Sequence, residues 1–168
     1  ALNDNTQTVL GTKGVRAHIL TTALEALELT ANKWLQKITT SGAHIEIRPY
    51  AQNKSGTRKE AISLDVVGIG DDKGYKALSG GQRRRVDVAI LLGLAELARA
   101  ASHTSRSTVF FDEVFDSLDE EGVSLVSSVI EEMGEERSVV VISHSPDFVA
   151  GLSPCMHVSI KKGEVSVI

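Results

Sequence analysis

The chain has 168 residues, 42% of them apolar, and a net charge of −4. That length and apolar content suit one domain with a genuine core and exclude a disordered chain. The acidic balance excludes a polybasic DNA coat, and aromatic residues at 4% stock a base-stacking platform poorly.

Residues 1–13 are polar. Leu20, Leu24, Leu27, Ala31, Trp34, Leu35 and Ile38 then recur at spacings of three and four, predicting one helix over 15–40 that Ser41-Gly42 ends. His44–Arg48 alternates with period two and predicts a strand. Gln52–Gly56 reads as a turn, and Ala61–Val67 as the returning strand of an antiparallel hairpin. Gly68–Gly74 is a Gly/Asp loop. A second helix opens at Ser79 and runs through Ala100, apolar on most sides. After a polar connection at His103–Ser107, Thr108–Phe111 reads as a buried parallel strand ending in Asp112-Glu113. A third helix is predicted over 118–134. Val139–Ile142 reads as another buried strand, ending in Ser143-His144. A short helix opens at Pro146, and the tail at 157–168 reads as a hairpin around Lys162-Gly163. Strand–helix–strand alternation of this kind predicts an α/β fold, with ligands at the carboxyl ends of parallel strands.

Four places carry candidate chemistry. Ser79 and Gln82 make a capping-box pattern around Gly80 and Gly81. The helix start there offers amides and a dipole suited to an anion, although an ordinary capped helix would look the same. Asp112 and Glu113 supply one carboxylate for hydrated Mg²⁺ and one to polarise water, or they simply end a strand in solvent. Ser117 and Glu120 repeat the capping-box pattern before Asp119. His144 at a strand end is either structural or a partner for a γ-phosphate. Arg83-Arg84-Arg85 reads as a solvated first turn, with phosphate or interface contact as the sharper alternative. The single cysteine, Cys155, excludes an internal disulfide framework and a cysteine-rich zinc site. It suggests a reduced cytosolic or nuclear setting. No run approaches a membrane span and no leader is evident, so no membrane is expected. The opening Ala1 suggests a processed fragment.

In combination these motifs resemble the ABC ATPase superfamily, firmly over 76–168 and more loosely over 11–67. Leu78–Gln82 is similar to its signature motif, Thr108–Asp112 to the Walker B strand, and Glu113 to the catalytic glutamate. Ser117–Asp119 is similar to the D-loop and His144 to the switch histidine. Val114 stands where transporter ATPases usually carry proline. The wording Asp112–Asp119 resembles the SMC-like branch, and Gly11–Arg16 before a long helix resembles the coiled-coil exit of SbcC and Rad-fifty type DNA repair ATPases. Phage recombination nuclease subunits share the wording.

The resemblance implies the C-terminal half, or signature lobe, of an ABC-type head: 1–42 leading from a coiled coil, 43–78 a hairpin and loop, 79–168 the motifs. No Gly-x-x-x-x-Gly-Lys-Ser/Thr occurs in the sequence. The implied partners are therefore the missing N-terminal P-loop half, a second head in a homodimer, a nuclease subunit and DNA, with ATP and Mg²⁺ bound. Asp112, as metal ligand, Glu113 and His144 are expected to serve this head's own nucleotide. Ser79, Gly80, Gly81, Gln82 and Asp119 are expected to face the opposing head's. Alternatives are an SMC chromosome-organising head or, less favoured, a transporter nucleotide-binding domain.

Overall fold

A computed structural model describes residues 12–52, 58–68, 74–102, 108–153, 156, 158–161 and 164–167. Gly11, the 53–56 turn, the middle of the 68–74 loop, the 103–107 connection, Cys155 and Lys162-Gly163 lie outside the described residues.

Helix α1 (Thr12–Ile38) buries its predicted stripe from Leu24 onward, with Ala31, Leu35 and Ile38 fully enclosed, while Val15, Ile19 and Leu20 are exposed. Strands β1 (His44–Gln52) and β2 (Arg58–Val67) pair antiparallel. The register shifts between Arg48 and Tyr50, where Pro49 has no N–H to give the ladder. The other side of β1 is closed by α1 side chains. Asn32 donates to the Ile45 carbonyl and accepts from its amide, both at 2.8 Å, and Glu28 accepts from the Ile47 amide at 2.6 Å. These contacts satisfy a strand edge that would otherwise present unpaired backbone groups.

After a 3₁₀ turn (Tyr75–Ala77), helix α2 (Gly80–Ser102) packs along α1. The approach is close at Gly93, where a side chain would meet the Ala31 backbone nitrogen at 2.9 Å. Trp34 donates to Glu96 across the same seam at 2.8 Å. Strands β3 (Val109–Asp112) and β4 (Val139–Ile142) run parallel in register, Asp112 opposite Ile142. Between them runs α3 (Glu120–Glu136), followed after β4 by the short α4 (Pro146–Gly151). Phe115 lies between Phe111, tilted against it, and Phe148, stacked on it, with ring centroids 5.0 Å apart on both sides, and pins the loop after β3 to α4. A hairpin of β5 (Val158–Lys161) and β6 (Glu164–Val167) completes the described chain.

Among the described residues the strands pair as expected, in two antiparallel hairpins and one parallel pair. One expectation needs correction. β3 and β4 are not buried on both faces: Phe111 points into the core, while Phe110 is 68% exposed and Val140 and Ile142 lie open beside it. The described helices cover one face of the parallel pair only. Alternating burial along both strands is the result.

Candidate functional site

The start of α2 forms the predicted capping box. The Ser79 amide donates to Gln82 Oε1 at 3.0 Å, and the Gln82 amide donates to Ser79 Oγ at 3.2 Å. Ser79 and Gly80 are exposed, and a side chain at Gly80 would meet nothing. Gly81 differs: a Cβ there would lie 2.7 Å from Asp119 Oδ2. The turn that opens α2 and the loop before α3 are therefore in contact within one chain.

At the other end of the site, the parallel register brings the ends of β3 and β4 side by side. Asp112 is exposed, and its carboxylate makes no hydrogen bond or ion pair to any described residue. Glu113 follows with φ 53°, in the left-handed region that a glutamate rarely adopts. Its amide is held by the Ile142 carbonyl at 2.8 Å, and its own carbonyl accepts from Arg84 Nη2 at 3.0 Å. The turned backbone sends the side chain to His144, whose Nε2 lies 3.0 Å from Glu113 Oε1. Both side chains are more than half exposed. Asp112, Glu113 and His144 thus share one rim, beside the bare apolar face of Phe110, Val140 and Ile142.

Known proteins resemble this arrangement at several levels. Residues 69–132 match the SbcC/RAD50-like family of the Walker B motif. The chain is 39% identical over 75 residues to exonuclease subunit 2 of Enterobacteria phage T4, covering 44% of this chain and 13% of that protein. It is 28% identical over 130 residues to the SbcC component of the nuclease SbcCD of Treponema pallidum, covering 76% of this chain and 12% of that protein. This chain thus spans about an eighth of the lengths of these relatives. A structure solved in work on ATP-driven dimerisation and DNA-stimulated activation of SMC ATPases superposes with a TM-score of 0.66 at 18% identity. The superposition covers 90% of this chain and 87% of that one. The Smc head domain with coiled coil and joint from Pyrococcus yayanosii gives 0.64 at 20% identity, over 93% and 29% of the two chains. The fold is that of an SMC-like ABC ATPase head.

Within this fold, the residues that sequence reasoning missed surround those it chose. Asp116 accepts from the Ser143 hydroxyl and from the His144 amide at 3.0 Å, fastening the loop after β3 to the end of β4. Burial works to raise its carboxyl. The Ser143 hydroxyl and the His144 and Ser145 amides outweigh burial and hold it below the ordinary range. A polar residue three positions past Glu113 was the available signal.

Asp119, and not Ser117, caps α3, accepting from the Gly122 amide at 3.0 Å. Asp119 sits immediately before the first helical turn, so its oxygen reaches the third amide. The three arginines diverge rather than forming a solvated turn. Arg83 lies over the Tyr75 ring, 5.6 Å from its centroid, and donates to the Lys76 and Leu78 carbonyls. Arg84 reaches Glu113. Arg85 is 7% exposed and grips Asp119 through Nε at 2.9 Å and Nη2 at 2.6 Å, with Glu121 at 2.8 Å. Successive helix positions point about 100° apart, so three in a row on a packed helix cannot all face water. That geometry was the signal for Arg85. Its hydrogen bonds hold the Asp119 carboxyl low, against burial, and Thr40 followed by Arg85 does the same for Glu121. Burial, then the hydrogen bond to Asp87, pushes the Tyr75 hydroxyl up to about 12.

Among the described residues no helix is long and apolar enough to cross a membrane, and no group of three or more His, Cys, Asp or Glu could hold a metal.

Proposed function

We propose that this chain is the signature lobe of an ATPase head that hydrolyses ATP between two dimerised heads, in DNA double-strand-break repair with a partner nuclease. The observation that carries the reading is the meeting of Asp112, Glu113 and His144 at the ends of two parallel strands. Glu113 is the base that takes a proton from the attacking water. The unusual φ at Glu113 projects its carboxylate beyond the strand end, consistent with a backbone arrangement kept for a task. His144, within hydrogen-bond reach, orients that carboxylate and offers its ring to a γ-phosphate oxygen. The unpartnered carboxylate of Asp112 fits Mg²⁺, which takes one or two carboxylates and fills its shell with water and phosphate oxygens. An ion held there would supply charge neutralisation at the phosphates.

The bare face of Phe110, Val140 and Ile142 supports a further lobe of the head, bearing the P-loop, packed on this sheet. The chain alone is then inactive, since a P-loop supplies most phosphate contacts. Ser79 and Gly80 are exposed at a helix N-terminus, with Gly81 and Gln82 half-buried beside them, and the turn is suited to a phosphate brought by a second head. The nuclease partner rests on the SbcCD and phage exonuclease relatives. Likeness to Smc heads favours a second reading, a chromosome-organising head. The protein that copurifies with the intact head separates them: a metallophosphoesterase nuclease for the first, a kleisin-like bridge for the second. The direct test mixes this chain with its P-loop lobe and measures ATP-dependent dimerisation and hydrolysis. Glu113→Gln should dimerise on ATP yet hardly hydrolyse it. Hydrolysis at the parental rate in that variant removes Glu113 as the base.

A further inference from the structure

The Arg85 guanidinium is buried, yet both carboxylates it holds lie at the surface, with Asp119 and Glu121 side chains 42% and 46% exposed. Both carboxylates on this one cation come from the 119–121 segment. Asp119 belongs to the loop that follows Asp112-Glu113, and it is pressed against Gly81 of the signature turn. Glu121 lies in the first turn of α3, and its second oxygen accepts from Thr40 Oγ1, just past the end of α1, at 2.5 Å. The fork geometry matters: Nε and Nη2 address the two Asp119 oxygens separately, which a lysine cannot do. The electrostatics matter more. Asp119 lies beside the outward-facing amides of the α2 N-terminus, where an anion is expected to arrive. An unpaired carboxylate there would oppose that anion, whereas a paired one leaves the amides' partial positive charge usable.

We propose that Arg85 is a positioning residue of the ATP site: it pins Asp119 against the Gly81 turn and neutralises it, so that the signature amides can receive a phosphate. This rests on the head reading above and adds a residue that reading does not use. Arg85 touches no nucleotide; it acts through Asp119.

The test uses the head assembled from this chain and its P-loop lobe, comparing parent, Arg85→Gln, Asp119→Asn and the double variant. ATP-driven dimerisation is read by size-exclusion chromatography, with single-head ATP affinity and kcat measured in parallel. Arg85→Gln should lower kcat and ATP-driven dimerisation by about tenfold or more, with single-head ATP affinity unchanged. Adding Asp119→Asn should recover most of both, because the opposing charge is removed while asparagine still caps α3. A purely structural role predicts no recovery, since the double variant has lost the same contacts. Parental dimerisation in Arg85→Gln, or equal failure with and without Asp119→Asn, overturns the proposal. Should Arg85→Gln fail to fold, Arg85→Lys carries the test. It keeps the charge, gives up the fork, and should lose kcat severalfold at constant single-head affinity; parental kcat there overturns the proposal. A parent assembly that never dimerises on ATP sinks the head reading itself, whereas a dimerising parent with unaffected variants sinks only the role of Arg85.

Discussion

Replacing Gly81 with alanine should destabilise the protein, while the same change at Gly80 should not. The new methyl at 81 would stand 2.7 Å from Asp119 Oδ2, 2.8 Å from its Cγ and 3.0 Å from its Cβ. Rotating the carboxylate relieves only the first of these, so the Asp119 residue must shift. Shifting it loosens the cap on the Gly122 amide, worth about 1 kcal/mol. It also loosens two charge-assisted bonds to Arg85, each worth about 1.5–3 kcal/mol if lost outright. Alanine returns up to about 1 kcal/mol of helix propensity. Arg85 keeps Glu121, so the loss is partial, and a net destabilisation of about 1–3 kcal/mol is expected. At a urea m-value of about 2 kcal/mol/M, the midpoint should fall by about 0.5–1.5 M. Trp34, the single tryptophan and 6% exposed, reports unfolding by fluorescence. Gly80→Ala meets nothing and should hold or raise the midpoint. The decisive arm is Asp119→Ala: with the carboxylate gone and only the Cβ contact left, Gly81→Ala should lose most of its penalty. A midpoint for Gly81→Ala at or above that of Gly80→Ala, or an undiminished penalty in the Asp119→Ala background, would refute the reasoning.

Gly93→Ala drives a methyl onto the Ala31 backbone at 2.9 Å, which no side-chain rotation relieves. It should lower stability by about 1–3 kcal/mol, read as a fall in the urea midpoint. His144→Ala should slow ATP hydrolysis in the reconstituted head while leaving the urea midpoint near the parental value, since the ring is largely exposed; unchanged turnover would make His144 structural. The native carboxyls of Asp116, Asp119 and Glu121 lie below their ordinary values. Their contribution is therefore present above about pH 4, where the unfolded carboxyls ionise, and is lost as pH falls through the lower native values. Urea midpoints should drop across that window, and Asp116→Asn should flatten the drop. Gly80→Ala should fold normally yet dimerise poorly on ATP; normal ATP-driven dimerisation would free the Gly80 surface of any ligand.

The order of elements was legible because periodicity survives in single stretches: Leu24 to Ile38 as one helical stripe, Val139–Ile142 as a short β-branched run. Element ends were less so. The first strand runs on to Gln52, beyond the expected Arg48, because the pairing continues past a register shift in which Pro49 stands opposite both Ala61 and Ile62. An all-apolar strand looks alike whether one face or both are covered, so the bare Phe110–Val140–Ile142 surface could not be read from the sequence. The strand-end groups at 112–113 and 143–144 were legible because parallel strands in register must end together. The contacts between Asp116 and Ser143, and between Arg85 and Asp119, were not. They join residues 27 and 34 positions apart, and local pattern carries no information across loops of that span.

The two glycines of the signature turn now have different reasons to be glycine. Gly81 is required by the fold itself, because Asp119 occupies the space that a side chain would need, whether or not a nucleotide ever approaches. A glycine there is thus no evidence for a phosphate. Gly80 faces open space and sits in a helical first turn where alanine would be the better former. Nothing within the described residues asks for the missing side chain. On the proposed reading, Gly80 leaves bare backbone open to a phosphate from outside, beside the exposed Ser79 hydroxyl and the first amides of α2. Under that reading the glycine with no neighbours, rather than the one with many, is the position where a substitution tests for the phosphate.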